Sequence, residues 1–255
     1  MNINSSAFLR QAGATLAVAG FLVGTAACGP EKPGGGKAAA SVPAQATPTA
    51  PTGNGIADKS AEAIMKAATD AFSSATSVHL TGTMVDAGDT ITLDLHLGHG
   101  VGEGTIRGPI KGKSLPVSII AAKGRLYMKS RRLWTAVGGA TAGDLIGDRW
   151  VLVPKKAMKN FKDFDGMLSS DGFARMLLKP DGSLTKGGTT VVDGTPAIEL
   201  KSGGGSLYVA TTGNPYPLKI VPSDRAKESL RFLDYDAPLR VDPPARPLDV
   251  SKLGG

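Results

Sequence analysis

Eight residues constrain this chain more than any others: Thr90-Ile-Thr-Leu-Asp-Leu-His-Leu97 alternates polar and apolar without a break. Side chains of an extended strand point to opposite faces in turn. Ile91, Leu93, Leu95 and Leu97 therefore share one face, and Thr92, Asp94 and His96 the other. A strand that is dry on one face and wet on the other belongs to an antiparallel sheet packed on one side only. Ser77-Val-His-Leu-Thr-Gly-Thr-Met-Val85 alternates in the same way, and Ala87-Gly-Asp joins the two as a hairpin.

Further strands are predicted at 102–107, 116–122, 125–129 and 149–153, separated mostly by glycine or Pro-Gly punctuation. A second run is predicted at 188–192, 197–201, 206–210, 218–221 and 229–235. Val192-Asp-Gly-Thr-Pro and Thr212-Gly-Asn-Pro mark turns between neighbours. Ahead of the first run, residues 58–74 read as a helix capped by Asp58. Ala61, Ile64, Met65, Ala68 and Phe72 make its apolar stripe. Between the two runs, residues 155–180 turn helical again. Phe161, Phe164, Met167 and Leu168 form one short stripe, and Phe173, Met176, Leu177 and Leu178 a second. The stretch Pro243-Pro-Ala-Arg-Pro has no periodicity and reads as a trailing segment. Strand and helix never alternate, so a doubly wound parallel sheet is not expected. The order predicts an α+β fold, with helices on one face of a large antiparallel sheet. A sheet of this size tends to curl, and helices that only partly fill its concave apolar side leave a lined cavity.

The first 56 residues have a different character. Residues 12–27 are uncharged and apolar, about the length of a signal-peptide core and short of the ~20 residues a spanning helix needs. One basic residue, Arg10, precedes them, and the small residues Ala26 and Ala27 close them against Cys28. Cys28 is the chain's one cysteine and has no disulfide partner. Ala26-Ala27-Cys28 looks like a lipoprotein processing site, with Thr25 where leucine is usual. On that reading 1–27 is a signal peptide and Cys28 carries a diacylglyceryl group. Residues 28–56 are a disordered Pro/Ala/Thr-rich tether that cannot bury enough apolar surface to fold. Residues 57–250 are the folded domain, held at the extracytoplasmic face of the cell membrane.

The whole chain of 255 residues carries a formal charge of +7. That suits an anionic partner, and an exported chain meets lipid head groups there rather than nucleic acid. Lys129, Arg131 and Arg132, then Lys155, Lys156, Lys159 and Lys162, are the clustered cations. They form either a solvated face or a contact with anionic head groups.

Asp193-Gly-Thr-Pro-Ala-Ile-Glu-Leu200 and Gly205-Ser-Leu-Tyr-Val-Ala-Thr-Thr-Gly-Asn-Pro-Tyr-Pro-Leu-Lys-Ile220 resemble the C-terminal half of the actinobacterial LppX/LprG-type lipoproteins. Ser77-Val-His-Leu-Thr-Gly82, Gly124-Arg-Leu-Tyr-Met-Lys129 and Asp148-Arg-Trp-Val151 resemble the N-terminal half. The resemblance implies a half-barrel of antiparallel strands capped by helices on its concave face, as in the LolA and LolB carriers. It also implies an apolar cavity for acyl chains of a lipid or acylated glycolipid, and lipid binding or transfer in the envelope. Cys28 is the one position it assigns a role, as the acylated residue. The alternative is an envelope protein-interaction or sensor module with no bound lipid.

The sequence offers no catalytic constellation, no cofactor motif and no metal shell by spacing. No Gly-x-Ser-x-Gly elbow is present, and Lys201-Ser-Gly-Gly-Gly-Ser206 lacks the Gly-Lys-Ser/Thr of a phosphate loop, so it reads as a hairpin loop. Asp163-Phe-Asp-Gly166 starts like a calcium loop but lacks the later ligands. The histidines, His79, His96 and His99, read as strand or surface residues with no clustered carboxylates beside them. An enzyme is not expected.

Overall fold

The computed structural model describes residues 52–86, 88–154, 170, 172, 174, 178–223 and 228–250. The predicted signal segment, Cys28 and nearly all of the predicted tether lie outside these residues, as do Lys155, Lys156, Lys159, Lys162, Asp163 and most of the stripes predicted at 155–180. A 3₁₀ turn, Ile56–Asp58, leads into α1 (Ala61–Ser74). Then come β1 (Ser77–Asp86), β2 (Asp89–Gly98), β3 (Val101–Ile110), β4 (Lys113–Ala122), β5 (Arg125–Lys129), α2 (Arg131–Ile146) and β6 (Val151–Leu152). After the insert follow β7 (Thr185–Val192), β8 (Thr195–Ser202), β9 (Gly205–Ala210), β10 (Pro217–Pro222), β11 (Ser229–Leu233) and β12 (Leu248–Asp249).

All twelve strands form one open sheet in the order β12-β6-β5-β4-β3-β2-β1-β11-β10-β9-β8-β7. Strands β1–β5 and β7–β11 each run as a meander of antiparallel neighbours, β6 follows β5 through α2, and the seam between the runs is the antiparallel pair β1–β11. The mixed α+β class and the antiparallel character are as expected. The exception is β12, which pairs in parallel with β6, so the Pro-rich segment does not simply trail away but returns to the sheet edge. Three hairpins turn on two residues with both φ values positive: Lys111-Gly112, Lys123-Gly124 and Asp193-Gly194. That backbone matches the right-handed twist of the flanking strands, and glycine adopts it without strain.

Alternation along the strands separates the two faces. Val78, Leu80, Leu93, Leu95, Leu97, Val117, Ile119, Leu126, Ile198, Leu200, Leu207, Val209, Leu230 and Phe232 are buried on the face that carries the helices. Helix α1 lays Ala61, Ile64, Ala68 and Phe72 on this face, with Met65 at the margin, as its stripe predicts. Its cap is Ser60 rather than Asp58: Ser60 Oγ accepts from the Ala63 amide at 3.2 Å, while Asp58 sits one step earlier in the 3₁₀ turn. The folded unit also begins ahead of 57. Gly53 bridges to Thr212, Asn54 Nδ2 donates to the carbonyls of Ala210 and Gly213, and Ile56 is buried.

Helix α2 was not evident in the sequence. Ser130 caps it by accepting from the Leu133 amide, and it bends at Gly139, whose φ of 81° is non-helical. Gly138-Gly139 and the surrounding Ala and Thr leave no continuous apolar stripe to read.

Candidate functional site

The candidate ligand site is the apolar face itself. Helix α1 lies over β8 and β10, and α2 lies over β4. Between them run the inner faces of β1, β2 and β3. Ala174 and Leu178 of the insert are buried in the same core, and Ser170 is fully buried. The partly buried Met84, Ile91 and Ile110 border this strip on the same three strands. Trp134 Nε1 on α2 and Ser170 Oγ are buried without a hydrogen-bond partner. Such groups are costly in an apolar setting.

The expected lipid-sized cavity is not enclosed by the described residues. Under α1, where Met65, Leu184, Leu200, Leu207 and Ile220 meet, a hollow of about 120 Å³ remains. That is below the roughly 300–1,000 Å³ of small-molecule sites.

One end of α1 is fixed by an aromatic and carboxylate cluster. Phe72 meets Phe232 edge-on at 5.6 Å and Tyr235 at 6.2 Å, and Tyr235 stacks on Tyr216 at 3.9 Å. Tyr235 Oη donates to the Pro217 carbonyl at 2.7 Å, and burial pushes this hydroxyl well above the usual tyrosine range. Tyr216 Oη donates to Asp236 Oδ2 at 2.5 Å, and the Thr76 amide donates to Asp236 Oδ1 at 2.7 Å. These bonds, Tyr216's first, hold the Asp236 carboxyl below the usual carboxylate range. On β8, burial pushes Glu199 up, but hydrogen bonds from Ser206, Lys201 and Tyr208 together outweigh it and keep its carboxyl low.

The basic cluster is only partly brought together. Lys129 lies over the Trp150 ring, 5.2 Å from its centroid, and Arg131 pairs with Asp144 at 2.5 Å. Arg132 is exposed. Lys201-Ser-Gly-Gly-Gly-Ser206 is the β8–β9 hairpin, as read.

His79 and His96 are on strands and His99 is in the turn after β2, but the expectation that no carboxylates cluster beside them is corrected. His79 and His96 are register partners on β1 and β2, with rings stacked at 4.1 Å and 10°. Asp94 Oδ1 lies 2.8 Å from His79 Nε2, and Asp234 Oδ2 lies 3.5 Å from His79 Nδ1. All four groups are on the face away from the helices. The sequence carried the clue. With Asp86 opposite Asp89, counting back along the hairpin pairs His79 with His96, whereas a join read as Ala87-Gly-Asp is one residue too long.

No protein-family model matches this sequence, and no curated protein matches it. Among solved structures it is similar to LprF from Mycobacterium bovis. The TM-score is 0.50 at 15% identity, over 72% of this chain and 97% of that one. It also matches the lipoprotein LppX from Mycobacterium tuberculosis, with a TM-score of 0.44 at 17% identity, over 71% of this chain and 97% of that one. The likeness to LprF establishes the fold, which is the one the sequence resemblance implied; the lower score of LppX adds no argument. Among the described residues no helix is long and apolar enough to cross a membrane.

Proposed function

We propose that this protein is a membrane-anchored envelope lipoprotein that holds an acyl chain or similar amphiphile against the apolar face of its sheet. The observation that carries the reading is the extent of that face. Twelve strands at ~4.8 Å spacing span about 50 Å, and a helix about 10 Å across covers only a narrow strip of it. Helices α1 and α2 thus leave the middle of the face, along β1–β3, to the insert that bears Ala174 and Leu178, and a guest would take the margin where Met84, Ile91 and Ile110 are only partly buried.

In this reading the acyl chain lies along the partly buried Met84, Ile91 and Ile110, which border the fully buried Leu93 and Leu95, and each buried CH₂ contributes about 0.8 kcal/mol. Polar oxygens of the guest would satisfy Trp134 Nε1 and Ser170 Oγ. Cys28 supplies the anchor, residues beyond it the reach, and the work is burial rather than catalysis. The implied localisation is the outer side of the cell membrane, where the net positive charge favours anionic head groups.

Native mass spectrometry of protein purified without detergent tests this. We expect a co-purifying lipid mass that disappears in Ile91→Lys, which charges the partly buried margin of the strip, while the melting curve stays close to the parent's. Protein that carries no lipid and takes up no acyl probe from vesicles overturns the reading. A second reading, a protein-docking module, draws on Val137 and Leu145, two large apolar residues exposed on α2 at 50% and 62%. A crosslinked protein neighbour lost on Leu145→Glu would favour it.

A further inference from the structure

The histidine cluster has no part in lipid binding: it lies on the opposite face of the sheet. We propose that His79, Asp94 and His96 form a divalent-cation site, matched in chemistry to Zn²⁺, with Asp234 as a positioning residue behind His79.

The geometry begins with the hairpin. Register partners on adjacent antiparallel strands are close neighbours on one face. The β1–β2 register therefore puts two imidazoles side by side, and the alternation of β2 puts Asp94 on the same face as His96. One ligand atom from each of His79, Asp94 and His96 can be chosen so that all three lie within 4.8 Å of one another. Two nitrogens bound to one tetrahedral zinc at ~2.1 Å each are about 3.4 Å apart; the stacked rings hold their lone pairs side by side, so loading requires the exposed His96 to turn its ring toward the ion held by His79 and Asp94. Two imidazoles and a carboxylate are a familiar borderline donor set for zinc, and the fourth position falls to water or to Glu103, which stands opposite His96 on β3.

The surroundings of His79 are compatible with ligation. Its ring has a carboxylate on each side, Asp94 at Nε2 and Asp234 at Nδ1. A neutral imidazole has one N–H and can donate to only one of them. An imidazolium would serve both carboxylates; in the neutral ring, Nδ1–H directed at Asp234 leaves the Nε2 lone pair facing Asp94 and free to bind a cation. A carboxylate behind a ligating histidine, fixing its tautomer and ring plane, is the usual outer partner of a zinc ligand. The site is accessible: the Asp94 side chain is 64% exposed, while His79, at 20%, is held in place by its neighbours.

The test uses the full chain with Cys28→Ser, which removes the one thiol that could bind zinc elsewhere. The chelator-treated protein is titrated calorimetrically with Zn²⁺, and Co²⁺ substitution gives an independent spectrum. We expect one-to-one binding that is lost in His96→Ala and in Asp94→Asn and unchanged in His99→Ala. Asp234→Asn should weaken it about tenfold to a hundredfold without changing the stoichiometry. Melting curves without metal should match the parent, because His96 and Asp94 are exposed. If His96→Ala does not fold, Asp94→Asn decides alone. No binding by the parent, or binding unaffected by both Asp94→Asn and His96→Ala, overturns the proposal. Either result leaves the lipid measurement untouched.

Discussion

Asp236 shows how much one exposed side chain can organise. It accepts from the Tyr216 hydroxyl and from the Thr76 amide and hydroxyl, and so ties the start of β1 to the segment after β11. Because these bonds favour the charged form, its folded pKa lies below its unfolded value. Its contribution to stability is therefore present above the ordinary carboxylate value of about 3.9 and is lost as pH falls through the lower folded value. Glu199 has the same sign. Urea unfolding of Asp236→Asn across the acid range should show lower stability at neutral pH and a shallower decline below about pH 4 than the parent. An equal decline in both proteins would remove Asp236 from the account. These roles could not be read from sequence. Asp236 and Glu199 are ordinary strand-end and strand acids until the sheet brings Tyr216, Thr76 and Ser206 to them. The His79–His96 pair was within reach, since only a one-residue error in the turn concealed it.

At the scale of elements, legibility followed periodicity. The eight-residue alternation of β2 and the stripe of α1 each state which face is buried, and both faces are found where the pattern puts them. Helix α2 has no such stripe, so neither its presence nor its bend at Gly139 was visible. The paired glycines of the sheet were likewise silent in sequence. Gly82 on β1 has φ 142°, and a Cβ there would fall 2.0 Å from the Ser229 carbonyl oxygen of β11. Gly104 on β3 stands in the same relation to the Asp94 carbonyl of β2. Gly82→Ala should therefore force β1 and β11 apart and cost about 2 kcal/mol or more in denaturant unfolding, beyond the strain of the backbone conformation itself. Wild-type stability in Gly82→Ala would mean that the seam tolerates a wider spacing than its register indicates.

At the scale of the whole molecule, the proposed tether can be tested apart from the sheet. If Cys28 is the acylated residue, Cys28→Ser should move the protein from the membrane pellet to the soluble fraction while its melting temperature stays the same. Retention in the pellet would mean that another part of the chain holds the membrane. Fold class and strand order within each run were legible from the hairpin turns. The junction of the two runs was not, because local patterns cannot say which strands meet across an insert.

That junction has a temporal consequence. His79 pairs with Leu233 across about 150 residues of chain, whereas every other strand pair but the short β12–β6 edge joins neighbours in sequence. Contacts of such separation form late, since a long loop must be closed before they return any energy. A chain delivered from its N-terminus would have β1–β5 zipped as local hairpins while one edge of β1 still waited for β11. Until about the last tenth of the protein arrives, that edge offers its unpaired backbone to any other strand. Folding speed and resistance to aggregation in this protein are thus decided at one pair of strands, β1 and β11.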